Sequence, residues 1–196
     1  MRKTIGRPKV FDEEEALQKA MYYFWEHGYE SASLVDLLDT MGIKRSSFYQ
    51  TFGSKEDLFR ASLALYTKNS TFFMQELKAK FGAKGALIEL MRMLLVEVRD
   101  TGKSKGCLIM NSGGECDAKF GHLSPLIKEN FKVFQELFKE YIIEAQGLGD
   151  ITNQTSAYTL TTIYQSILNG GSAMVRVGAE EKEIVVLLSH VEELLE

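Results

Sequence analysis

Between Gly42 and Phe59 the chain reads GIKRSSFYQTFGSKEDLF. Rings stand at Phe48, Phe52 and Phe59, and Lys44, Arg45, Ser46, Ser47, Tyr49, Gln50 and Lys55 lie among them. Phe48 and Phe52 are four residues apart, so on a helix they share one face. Lys44, Arg45, Ser47 and Gln50 fall at or near the opposite face. Such donors suit a polyanion with readable edges. In a major groove, Arg pairs with guanine and Gln with adenine, and each bidentate pair gives roughly 1–3 kcal/mol of discrimination. Ser46, Tyr49 and Lys55 suit phosphates, which hold register without reading sequence. Backbone N–H groups near Ser54 and Lys55, at the start of the next helix, suit a phosphate as well.

A second chemistry lies around Cys107, in Lys105-Gly-Cys-Leu-Ile-Met110-Asn111, with Cys116-Asp117 downstream. Two cysteines make no disulfide framework. Lys103 and Lys105 precede Cys107, and a cation or helix start beside a thiol favours the reactive thiolate. A free cysteine beside Leu108 also suits a small buried hydrophobe, and both readings stand. The chain over 151–179 is rich in Thr, Asn, Gln, Ser and Tyr, Tyr158 among them, yet Arg176 is its only charge. A helix so poor in charge is expected to be buried in an interface or to line a cavity. An Arg buried there needs an anionic partner. Arg176 is therefore expected beside Cys107, where it would favour the thiolate, or paired with a glutamate. Cys107, Cys116, Met110, Asn111, Tyr158 and Arg176 are the effector and redox candidates. Phe72, Phe73, Met74, Met91, Met93, Phe131 and Phe134, with Met110, either line an apolar inducer pocket or fill the core.

The elements that position these groups are all helical. Ala16, Ala20 and Phe24, with Leu17, Met21 and Trp25, make a helical stripe over 11–28. Asp12 to Glu15 favour its positive end, and Gly28 suits the residue after it. Ser33-Leu-Val-Asp36 opens a short helix over 33–41 that Gly42 ends. A second short helix over 44–51 follows at once. Two short helices joined by a glycine turn make the helix-turn-helix pattern. Ser54-Lys-Glu-Asp57 opens a long helix to about Lys80. Later stripes lie over 87–98 and 131–142, and helices are expected over 151–178 and 180–195. Gly82–Gly85 and Thr101–Gly106 are expected turns. Residues 106–122 hold four glycines and make a continuous helix doubtful. No period-2 strand pattern occurs. The fold class is all-α, with about nine helices: an N-terminal three-helix helix-turn-helix head and a helical ligand-binding and dimerisation body. The expected divisions are a basic arm over 1–10, a DNA-binding domain over 11–53, and an effector-binding and dimerisation domain over 54–196.

The 196 residues carry a formal net charge of −4, which excludes a generic nucleic-acid coat. The charge is uneven, since Arg2, Lys3, Arg7 and Lys9 open the chain without an acid among them. A short basic arm reaches DNA in some folds and is merely solvated in others. No apolar run of about 18 residues occurs and no signal peptide opens the chain, so the cytoplasm is the expected compartment. Three histidines form no metal-binding pair, and no phosphate loop or nucleophile elbow appears. No enzyme activity, cofactor or metal is expected.

The chain resembles the TetR family of transcriptional regulators. The resemblance rests on Gly6-Arg7-Pro8-Lys9, on Phe24 with His27-Gly28-Tyr29, on Ser33, Asp36 and Leu38, and on Gly42-Ile43, Ser47-Phe48-Tyr49, Phe52, Ser54-Lys55-Glu56 and Leu58. It covers roughly residues 6 to 60. The expected DNA contacts are Arg7, Lys9, Ser33, Lys44, Arg45, Ser46, Ser47, Tyr49, Gln50 and Lys55, and the resemblance implies a three-helix DNA-binding head with a divergent body that binds an inducer and dimerises. Two positions depart from the family pattern: Lys44 replaces a small hydroxyl cap, and Thr51 stands where an aromatic or histidine is usual. Gly-Cys-Leu with a later Cys-Asp resembles a branch that answers electrophiles and oxidants through cysteine.

The last helix carries Ile184, Val185, Leu187, Leu188, Val191, Leu194 and Leu195, more apolar surface than a covering helix needs. With the helix before it, it is expected to pair across a twofold axis as a four-helix bundle. The expected protein is thus a dimeric repressor on a palindromic double-stranded operator, released by a small-molecule or thiol-reactive signal. The alternatives are a helical adaptor whose helix-turn-helix binds protein, and a cysteine hydrolase using Cys107 and His122.

Overall fold

The computed structural model describes residues 11–101, 104–115 and 120–196. Among them are eight α-helices and one 3-10 turn, and no strand. The helices are α1 (Glu13–His27), α2 (Leu34–Met41), α3 (Arg45–Phe52), α4 (Lys55–Thr101), α5 (Leu108–Gly113), α6 (Ser124–Leu148), α7 (Ala157–Arg176) and α8 (Glu181–Leu194), with the 3-10 turn at Gly121–Leu123. The all-α expectation is met. The chain forms two compact units that divide between Leu65 and Tyr66, within α4.

Local signals start and stop the helices of the first unit. The N–H groups of Glu14 and Glu15 donate to Asp12 Oδ1 at 2.9 and 3.2 Å, which caps α1. Ser33 Oγ accepts from Asp36 N–H at 3.1 Å and caps α2. Gly42 ends α2 in the left-handed region. At α4 the box is reciprocal: Asp57 N–H donates to Ser54 Oγ at 3.1 Å, and Ser54 N–H to Asp57 Oδ2 at 3.2 Å. α1 packs on α2. Phe24, Phe48 and Phe59 are fully buried. The Phe59 ring stacks edge-on to Phe24 at 5.1 Å and lies 4.7 Å from Tyr29. Aromatic pairs at these spacings add about 0.5–1.5 kcal/mol beyond burial.

In the second unit α7 packs between α6 and α8, and α5 packs on α6. Tyr164 is wholly buried, donates its hydroxyl to Leu87 O at 2.8 Å, and meets Phe138 edge-on at 5.2 Å. One residue thereby joins α4, α6 and α7. Glu180 and Glu183 form a capping box at α8. No helix of the described residues is long and apolar enough to cross a membrane.

Two boundaries differ from expectation, and one doubtful segment is broken as expected. The turn expected over Gly82–Gly85 is a single residue, Gly82 (φ 75°, ψ 175°), after which the helix resumes to Thr101. The helix expected from 151 starts at Ala157, because the polar residues before it bond elsewhere. Asn153 Nδ2 donates to Leu194 O at 3.0 Å, Thr152 Oγ1 to Glu196 O at 2.7 Å, and Ser156 caps α7 by accepting from Thr159 N–H at 3.2 Å. The doubtful segment 106–122 holds only α5 and the 3-10 turn among its described residues.

Gly82 occupies backbone space that a side chain enters only with strain, about 1–3 kcal/mol at such positions. Gly82→Ala is expected to lower the unfolding free energy by about that amount, measured by urea denaturation. An unchanged midpoint would show that α4 straightens without cost.

Candidate nucleic-acid interface and effector site

An eight-residue helix is too short to persist in water by itself. α3 is held by Phe48, which is fully buried, and Phe52, half-buried and 6.0 Å from it. Phe48 and Phe52 thus share the inward side of α3, as their spacing of four requires. With those anchors inside, Lys44, Arg45, Ser46 and Gln50 are exposed and Ser47 is half-buried. The side chains of these five have no hydrogen-bond or ion-pair partner among the described residues. Tyr49 is exposed and sits edge-on to Phe48 at 5.3 Å. Lys44 is the N-cap residue of α3 and makes no side-chain cap bond, so the missing hydroxyl is not replaced.

Two of the expected contact residues have duties within the fold. The Ser33 hydroxyl caps α2, accepting from Asp36 N–H and donating to Asp36 Oδ2 at 2.5 Å. The Lys55 ammonium lies over the Tyr29 ring, 4.4 Å from its centre. Arg7 and Lys9 lie outside the described residues, as do Lys103 and Cys116.

The second unit holds a cavity of about 460 Å³ beside Cys107. Met110 and Asn111 from α5, and Asn169, Ser172 and Arg176 from α7, line it. Four sequence-selected residues, Cys107, Met110, Asn111 and Arg176, are thus brought together. Tyr158 is not among the lining residues. It stands in the first turn of α7, about 27 Å from Arg176 at 1.5 Å of rise per residue. Of the aromatic and methionine residues, Met74, Met91 and Phe134 belong to the core.

The loop ahead of Cys107 is tightly built. Asn111 Nδ2 donates to Lys105 O at 2.8 Å, and Gly106 N–H to Ser104 Oγ at 3.0 Å. A side-chain carbon at Gly106 (φ 71°) would stand 2.9 Å from Asn111 Oδ1 and 3.1 Å from Arg176 Cδ. Only glycine lets the Arg176 stem lie so close to the loop. Arg176 is not buried, contrary to the expectation from the low charge of its helix. Arg176 is exposed in the last turn of α7, so it suffers no burial penalty and needs no buried anion. It has no ion pair among the described residues, which sets aside the glutamate alternative. The helix C-terminus itself favours a cation there. The buried polar side chains of α7 include Thr161, Gln165 and Ser172, and Thr161 Oγ1 and Gln165 Oε1 have no hydrogen-bond partner among the described residues.

Tyr66 is the residue that sequence reasoning missed. It lies far from Cys107 in the chain, yet its hydroxyl hydrogen-bonds with the Cys107 thiol, the Ser70 hydroxyl and the Leu108 backbone. Burial first, and the Cys107 sulfur second, push its phenol well above the ordinary value of 10.0. Burial also raises Tyr164. Ser172 was likewise missed, although Asn169, Ser172 and Arg176 follow helical spacing that places them on one face.

The class these features define is a helix-turn-helix DNA-binding regulator of transcription. The chain belongs to the tetR family of bacterial regulatory proteins, with residues 16–62 matching that family and residues 83–191 matching the tetracyclin repressor-like C-terminal domain. It is 29% identical over 190 residues to the HTH-type transcriptional repressor ComR of Escherichia coli K12, covering 94% of this chain and 89% of that one. It is 31% identical over 151 residues to the uncharacterised HTH-type regulator YezE of Bacillus subtilis 168, covering 76% and 78%. A solved cysteine mutant of the TetR-family regulator CifR, complexed with 26-bp double-strand operator DNA, is 30% identical, covers 97% of this chain and 98% of its own, and superposes with a TM-score of 0.79.

Tyr66 and Tyr164 keep their protons in the folded state above the pH at which the unfolded chain releases them. Their contribution is complete below about pH 10 and falls above it, by about 1.4 kcal/mol per pH unit for each group. Tyr66→Phe is expected to make the alkaline loss of stability shallower by one such increment, read from urea midpoints between pH 9 and 11. An identical alkaline slope would show that Tyr66 ionises freely in the folded chain.

Proposed function

We propose that the chain is a dimeric, cytoplasmic repressor that reads a twofold-symmetric operator through α3 and leaves it when the body binds a small molecule or when Cys107 is modified. The observation that carries the DNA reading is the face of α3. Its anchors are inside, while a lysine, an arginine, two serines and a glutamine have no side-chain partner among the described residues. Arg45 and Gln50 read base edges. Lys44, Ser46, Ser47 and Tyr49 hold phosphates, with Lys55 and Ser33 at the margin. Arg7 and Lys9 extend the contact along the backbone as part of the arm. A relative of 30% identity complexed with operator DNA supports this reading.

Two copies pair through α7 and α8. Ile163, Val185 and Val186 are exposed apolar residues on these helices, and pairing would remove them from water. Two heads then meet half-sites one helical turn, or a multiple of it, apart.

Release is a shift of population. One state of the dimer holds the heads at the operator spacing, and effector binding or thiol modification favours another. α4 runs through both units and carries the change. A coupling of about 1–3 kcal/mol alters occupancy about 5- to 150-fold.

Selection from a random double-stranded library with reduced protein is expected to return one palindromic site. On that site Lys44→Ala should weaken binding and reduce the slope of log affinity against log salt by about 1. Gln50→Ala should relax preference at one base pair by roughly 1–3 kcal/mol. Fluorescence anisotropy across a salt series measures both. If no site is enriched even at low salt, the operator reading falls.

A further inference from the structure

The cavity beside Cys107 has a polarity that nothing in the DNA-reading role explains. Asn169, Ser172 and Arg176 line it from one face of α7, and none of their side chains has a hydrogen-bond or ion-pair partner among the described residues. Ser172 is only 8% exposed and borders the cavity, and its hydroxyl has no partner among the described residues. None of the described residues lining the cavity is acidic. Met110, Ala173 and Val177 supply an apolar wall. A hydroxyl, a carboxamide and a guanidinium lining one cavity suit a planar anion, and Arg is the side chain that pairs best with a carboxylate. The Cys107 sulfur borders the same space.

The geometry points to a small carboxylate-bearing electrophile as the effector of this cavity: Arg176, Ser172 and Asn169 hold the carboxylate while Cys107 attacks the electrophilic carbon. This rests on the reading of Cys107 as the signal-receiving thiol. With a conjugated carbonyl compound that also carries a carboxylate, the Cys107 sulfur, having released its proton to solvent, adds to the β-carbon. The C–S bond forms as the C=C π bond breaks, and a proton from solvent ends on the α-carbon. No oxidant enters.

Iodoacetate and iodoacetamide test the selectivity, since they are of similar size and both lose iodide to a thiolate, but only one carries a carboxylate. Rates of Cys107 alkylation are followed by peptide-resolved mass spectrometry on the full chain, each divided by the rate with free glutathione in the same buffer. In the unaltered protein the iodoacetate-to-iodoacetamide ratio is expected to exceed that of glutathione about five- to tenfold, as one nearby cation allows. It should fall towards one in Arg176→Gln, because the iodoacetate rate drops by more than the iodoacetamide rate, and fall part way in Ser172→Ala. Arg176 is exposed, so its replacement leaves the core untouched. A ratio equal to that of glutathione, or one that Arg176→Gln does not alter, overturns the proposal. Operator binding by the alkylated protein separates this from the parent reading. If iodoacetamide releases DNA but iodoacetate shows no preference, the anion site fails and the thiol signal stands. If iodoacetate is preferred and DNA stays bound, the anion site stands and the thiol signal fails.

Discussion

The burial of Phe48 is the constraint on which the head depends. α3 is eight residues long and has no side-chain cap, since Lys44 offers none. Its stability comes from packing, and a fully buried phenylalanine gives about 1.5–3 kcal/mol. That burial sets the rotation of the helix. Once Phe48 faces inward, Ser46 and Gln50 must face water, along with Lys44 and Arg45 at the first turn. The polar face of α3 is the geometric remainder of an apolar anchor. The aromatic group of Phe24, Tyr29 and Phe59 holds α1 against the start of α4. That start carries Lys55, whose ammonium lies over Tyr29.

The second unit is organised by a different economy of polar groups. α7 carries almost no charge, yet it is not simply apolar. Tyr164 spends its hydroxyl on Leu87 O, and Thr161 and Gln165 lie buried. Further along, Asn169, Ser172 and Arg176 open onto the cavity at Cys107. One helix therefore supplies core at one end and an unpaired polar face at the other. Tyr66 hydrogen-bonds with the same thiol from α4, the helix both units share. The sulfur is thus linked to that helix without an intermediate element.

The family matches follow the same division. The conserved-domain matches cover the head and the body separately, at residues 16–62 and 83–191. Residues 63–82 between them belong to α4 and end at Gly82, its single non-helical residue. The resemblance read from residues 6 to 60 is carried by turns, caps and aromatic anchors. These have local signatures, so the head was named from sequence alone. The body has no comparable local signature, since a helical stripe that fills a core and one that lines a cavity read alike.

By itself the sequence determined what depends on neighbours along the chain. Ser33, Ser54 and Asp12 cap the helices they precede, Gly42 ends α2, and the spacing of Phe48 and Phe52 turns the polar residues of α3 outward. These are contacts within a few residues, fixed by helical geometry. Cys107, Met110, Asn111 and Arg176 were picked out by type, but their meeting in one cavity depends on how α5 lies against the end of α7. Arg176 was expected inside because its helix lacks charge, and it is exposed because it falls in the last turn, where the chain returns to solvent. The bonds from Tyr66 to Cys107 and from Tyr164 to Leu87, and the late start of α7 set by Asn153 and Thr152 at the C-terminus, join residues far apart in sequence. Only tertiary packing decides these, because no periodicity in the chain records which distant partner a hydroxyl or amide will meet.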